Sequence, residues 1–100
     1  MPTFVFSYRS PKGYTPTDET VAQWRAWFAH MGDSLVELGR PVVESAVVGE
    51  CGPEVTRLGG YSLVQAADLE GALTIAKGCP TIDRRGGVEV GVLGEIPDPG

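Results

Sequence analysis

Hydrophobic residues along this chain recur at two periods, and the order in which those periods alternate restricts the fold to one class. Thr3 to Tyr8 reads Thr-Phe-Val-Phe-Ser-Tyr, which puts Phe4, Phe6 and Tyr8 on one face of a strand and Thr3, Val5 and Ser7 on the other. After a loop holding Pro11, Gly13 and Pro16, the period changes. Val21, Trp24, Phe28, Met31, Leu35 and Leu38 recur at three- and four-residue steps, widened by Trp27. This predicts a helix capped by Thr17 or Asp18 and stopped by Gly39 and Pro41, with Trp24, Phe28 and Met31 buried against a sheet. Gly32 inside that stretch costs about 1 kcal/mol against alanine, which suggests close packing there. The β-branched run Val42 to Val48 then reads as a second strand and the glycine-rich Gly49 to Gly60 as a loop or wide hairpin end.

Tyr61 to Ala66 reads as a third strand. Asp68 caps a second helix with Leu69, Ala72, Leu73 and Ala76 on its inner side, ended by Gly78 and Pro80. Val88 to Val92 alternates again as the last strand. The order βαββαβ predicts an α+β, ferredoxin-like fold: two strand-helix-strand halves forming a four-stranded antiparallel sheet with both helices on one face. The other face would stay bare, and a second copy of the same sheet would cover it, giving a homodimeric α/β barrel.

One hundred residues make a single domain, here 1–93, followed by a tail at 94–100 with two prolines and no apolar run. Eight basic against thirteen acidic residues give a net charge of −5, which repels nucleic-acid backbones and anionic membranes. Arg84-Arg85 reads as a solvated turn. No apolar run approaches the roughly 20 residues of a membrane span, and the first residues carry no export pattern, so the expectation is a cytoplasmic protein. Cys51 and Cys79 lack metal-ligand spacing and are expected as free thiols. At the far end of the second helix, the dipole would raise the Cys79 thiol pKa and leave a packed, unreactive cysteine.

Several ordered motifs resemble the YCII-related proteins, which include the DGPF-domain group. They are Gly60-Tyr61-Ser62-Leu63-Val64, Ala67-Asp68-Leu69-Glu70 with Ala72, Ala76-Lys77-Gly78-Cys79-Pro80, and Gly86-Gly87-Val88-Glu89-Val90. Trp24, Trp27-Phe28 and Leu38-Gly39 extend the similarity over roughly residues 2 to 93. The resemblance implies a ferredoxin-like homodimer with a cleft near the helix-sheet junction, but not one activity. Its better-described branch is suspected of small-molecule chemistry through a His on the first helix and an Asp near the end of the second. Aligned on Leu38-Gly39, the His position falls near Phe28, two residues short of His30, and the Asp position falls on Cys79. Cys51-Gly52-Pro53-Glu54 shares only Gly-Pro with the Asp-Gly-Pro-Phe motif, and that motif is not carried over.

Residues able to carry acid-base chemistry are few. His30 is the only histidine, Asp33 lies three residues on, and Glu89 interrupts an apolar strand. Each also has an ordinary reading as a solvated side chain. On a helix a two-residue offset turns a side chain by about 200°, so a cleft lined by Phe28 excludes His30. Tyr8, Trp24, Trp27 and Tyr61 are candidates to wall a ligand pocket, although aromatic residues at these spacings also build cores. No phosphate loop, dinucleotide fingerprint or metal-ligand cluster appears, so neither cofactor nor metal is expected. Two functions fit: a homodimer binding a small apolar or acidic-poor molecule, or a cofactor-free lyase, hydrolase or monooxygenase using His30, Asp33 and Glu89. Their convergence on one enclosed pocket would favour the second.

Overall fold

The structure is a computed structural model that describes residues 1–52 and 55–96. The C-terminal part of the expected tail, 97–100, and Pro53-Glu54 of the Cys51-Gly52-Pro53-Glu54 stretch lie outside the described residues. Strand β1 (Thr3–Pro11) leads to helix α1 (Asp18–Met31), a 3-10 turn (Gly32–Ser34) and strand β2 (Leu35–Glu37). Strand β3 (Thr56–Gln65), helix α2 (Leu69–Ala76), a 3-10 turn (Pro80–Arg84) and strand β4 (Gly87–Val92) complete the chain. The fold is α+β, with a four-stranded antiparallel sheet in the order β2-β3-β1-β4. This arrangement is compatible with a ferredoxin-like fold. Each helix links strands that have another strand between them, rather than neighbours in the sheet.

Phe4, Phe6 and Tyr8 are buried on one face of β1, as its alternation requires. Their register partners Val64, Ser62 and Gly60 on β3, and Val92, Val90 and Val88 on β4, share that face. Both helices pack on it, contributing Trp27, Met31, Ala72 and Ala76 to one core. The opposite face, carrying Thr3, Val5, Ser7, Leu63, Gln65 and Glu89, has neither helix on it. Register slips between Tyr8 and Arg9, where the extra Gly59 forms a bulge in β3.

Thr17 caps α1 with a reciprocal pair: its hydroxyl accepts from the Thr20 amide at 3.2 Å, and its own amide donates to the Thr20 hydroxyl at 2.8 Å. Asp68 caps α2 by accepting from the Gly71 amide at 2.7 Å. Helix α1 is shorter than its apolar period suggests. It stops at Gly32, whose φ of 54° is left-handed, and a Cβ there would meet nothing within 4 Å. Backbone conformation therefore explains this glycine, and close packing does not.

Because α1 ends early, Leu35 and Leu38 leave the helical stripe, and Leu35 begins β2 opposite Val64. Val42 to Val48, expected as the second strand, forms no strand, and Val43, Val47 and Val48 are exposed. The edge of β3 that they would pair with is taken by β2 and the segment after it. Within α1, Trp27 and Met31 are the buried apolar residues, while Trp24 and Phe28 are half-buried. Arg84 is not a solvated residue either. It is half-buried, donating to the Pro80 carbonyl at 3.0 Å and to the Gln23 side chain on α1.

Candidate functional site

The segment from Leu38 to Val43 runs as a strap along the edge of β3 and builds one wall of a cleft. The Ser62 hydroxyl donates to the Leu38 carbonyl at 2.6 Å, the Tyr61 amide to the Arg40 carbonyl at 3.4 Å, and the Val42 amide to the Gly59 carbonyl at 3.1 Å. Pro41 bridges to Gly60, and the Arg57 guanidinium donates to the Val42 carbonyl at 3.1 Å. Gly39 lets the chain turn onto β3 with φ 72°, where a Cβ would land on the Tyr61 carbonyl oxygen.

Facing the strap, the outer flank of α1 supplies Val21, Trp24 and Phe28, and Tyr8 joins them from the sheet. Together these walls enclose about 550 Å³, within the roughly 300–1,000 Å³ typical of small-molecule sites. Leu38, Pro41, Val42 and Val43 make the strap side equally apolar. The incomplete burial of Trp24 and Phe28 follows directly: their outward surfaces face the cleft rather than the core. Tyr8 is held from three sides, its ring meeting Trp24, Trp27 and Phe28 edge-on at centroid distances of 4.9, 5.9 and 6.5 Å. Its hydroxyl is buried and makes no hydrogen bond among the described residues. Burial raises the phenol pKa well above its usual range, and the nearby Ser62 hydroxyl offsets only part of that rise. Tyr8 stays protonated at neutral pH and is a donor in waiting.

Of the aromatic candidates, Tyr8, Trp24 and Tyr61 line the cleft. Tyr61 pairs with Ser7, so it has the parity of the opposite sheet face and borders the cleft at its β3 rim. Trp27 lies outside the lining, in the core, stacked on Phe6 with centroids 6.2 Å apart and donating from Nε1 to the Ile75 carbonyl at 3.3 Å. The acid-base candidates are not brought into the cleft. His30, Asp33 and Glu89 are all exposed and none lines the cleft, whereas Phe28 does. The Asp33 backbone carbonyl accepts from the Gln65 side-chain amide at 2.9 Å.

Cys79 is buried, and that burial pushes its thiol up to about 11, with a backbone hydrogen bond at Thr81 offsetting part. Desolvation is thus the leading cause of the raised pKa, where the sequence suggested the helix dipole. Cys51 is exposed, and both cysteines are free. Among the described residues no three His, Cys, Asp or Glu side chains gather as a metal site, and no helix is long and apolar enough to cross a membrane.

Sequence reasoning missed the strap and three arginines, Arg25, Arg40 and Arg57, that line the cleft. No local motif joins these positions. Only the pairing of the strap with β3 brings residues 40 and 57 near each other, and Gly39 ahead of Arg40 was the one available signal. Comparison with protein-family models, curated proteins and solved structures finds no match to this chain.

Proposed function

We propose that this chain is a small homodimeric binding protein that holds a largely apolar small molecule in the cleft between α1, β1 and the 38–43 strap. The observation that carries the reading is the lining itself: Tyr8, Trp24, Phe28, Leu38 and Pro41 surround a cavity of about 550 Å³. Binding is favoured over cofactor-free catalysis because His30, Asp33 and Glu89 are exposed and lie outside that lining. We place the chain with the YCII-related proteins, as a branch without their suspected His-Asp dyad, on the ordered motifs between Gly60 and Val90. The βαββαβ order and the sheet order support a ferredoxin-like subunit. The bare sheet face, with Val5 and Leu63 on it, supports a dimeric barrel. Two free cysteines suit a cytoplasmic setting.

A neutral aromatic probe tests the cleft. Titration with 1-naphthamide, followed by amide and indole chemical shifts, should move Trp24, Phe28 and residues 38–43 in a saturable way. His30 and Asp33 should stay still. Shifts absent at millimolar probe, or spread evenly over the surface, would reject the reading.

A further inference from the structure

The three charged side chains among the described lining residues of the cleft are cationic. Arg25 stands on α1 one turn beyond Val21, Arg40 on the strap, and Arg57 on β3, and no Asp or Glu is among the described lining residues. In a chain with thirteen acidic and eight basic residues, this is a strong local inversion of charge. Arg25 and Arg40 are exposed, and none of the three forms an ion pair among the described residues. Arg57 spends its Nη1 on the Val42 and Leu58 carbonyls, at 3.1 and 3.2 Å, which fixes the guanidinium against the strap. Its Nε and Nη2 make no hydrogen bond among the described residues.

An apolar floor beneath unpaired guanidinium groups is matched by one kind of ligand. A purely apolar molecule would leave the arginines unused, and a cation would be repelled by them. A carboxylate on an aromatic or aliphatic body satisfies both parts, since guanidinium groups bind carboxylates through directed pairs of hydrogen bonds and low-dielectric walls strengthen that attraction. Resting on the cleft reading above, we infer that the natural ligand is an amphipathic organic acid, its hydrocarbon or ring against Trp24 and Phe28 and its carboxylate toward Arg25, Arg40 and Arg57.

Calorimetric titration of the full chain with 1-naphthoate, 1-naphthamide and 1-naphthylmethylammonium separates charge from shape. Naphthoate should bind roughly tenfold or more tighter than the amide, as a charge-assisted contact predicts, and the ammonium weakest of all. In the Arg25→Gln/Arg40→Gln double variant the preference for naphthoate over the amide should collapse. Both residues are exposed, so an unchanged unfolding midpoint is expected and confirms that the variant folds. Amide binding as tightly as naphthoate, or a preference surviving both substitutions, would overturn the acid inference and leave the cleft reading standing. Failure of all three probes to bind would overturn both.

Discussion

Trp24 and Trp27 stand three residues apart on α1, yet they serve different parts of the molecule. Trp27 is 7% exposed, stacks on Phe6 and hydrogen-bonds the Ile75 carbonyl, tying α1 to α2 across the core. Trp24 is half-buried and gives its remaining surface to the cleft. Trp27→Ala should therefore cost about 3–5 kcal/mol of stability, the range for a buried aromatic, and Trp24→Ala roughly half as much. Urea unfolding midpoints of the two variants provide the check, with equal losses counting against the assignment. Cys79 gives a second residue-level prediction. Its folded pKa, about 11, lies above an unfolded thiol's, so above roughly pH 8.5 the unfolded chain releases a proton that the folded chain retains. The stabilisation is complete below that pH and fades as pH rises toward 11. Tyr8, shifted in the same direction, prolongs the decline at still higher pH. Cys79→Ala should flatten the loss of stability between pH 8.5 and 10.5 by on the order of 2 kcal/mol, measured against the parent in parallel unfolding series.

Among the elements, β1 and β4 were legible because each carries one unbroken period bounded by proline, glycine or a turn, and α2 by its Asp68 cap and Gly78 end, although Leu69 and Leu73, read as its inner side, are exposed. The stretch from Gly32 to Val48 was not legible, and the reasons are physical. Met31, Leu35 and Leu38 keep helical spacing across Gly32, so apolar period alone cannot register the left-handed turn that ends α1. Strand propensity in Val42 to Val48 was also a poor guide, because β2 and the strap take the edge of β3 and Val42 is the last described residue of that run to bond to it. The cleft shares this limit: Tyr8 and Trp24 were readable from aromatic placement, but the arginines and the strap depend on pairing between residues far apart in sequence. Gly39 is the hinge of that pairing. Gly39→Ala combines left-handed strain with overlap of the Tyr61 carbonyl, so the strap should detach from β3 at a cost of about 2 kcal/mol or more. Faster hydrogen exchange at the Tyr61 and Val42 amides would show it, and Val48→Asp, at a position 94% exposed, should stay within about 0.5 kcal/mol of the parent.

At the scale of the whole molecule, a domain of this size buries only about 60–70% of the surface its unfolded chain exposes, and both helices here are spent on one side of the sheet. The other side pairs Val5 with Leu63 and with Gly91, and Ser7 with Tyr61 and with Glu89. The Val5, Leu63 and Gly91 row is apolar and the neighbouring rows are mixed, and this face is the one assigned to the partner copy in the proposed dimer. A two-fold contact uses the same patch on both copies, so a single substitution enters the interface twice. Leu63→Lys then sets two like charges into the apolar row of the proposed contact, while each isolated subunit keeps the core formed by Phe4, Phe6, Trp27 and Val64. The parent chain should sediment at micromolar concentration with twice its 10.6 kDa mass, and its thermal midpoint should rise with protein concentration. Leu63→Lys should sediment as a monomer with a midpoint independent of concentration and lower than the parent's. A parent chain that is monomeric at micromolar concentration would remove the dimer from the proposed function. The cleft would survive that result, because all of its described lining residues belong to one chain.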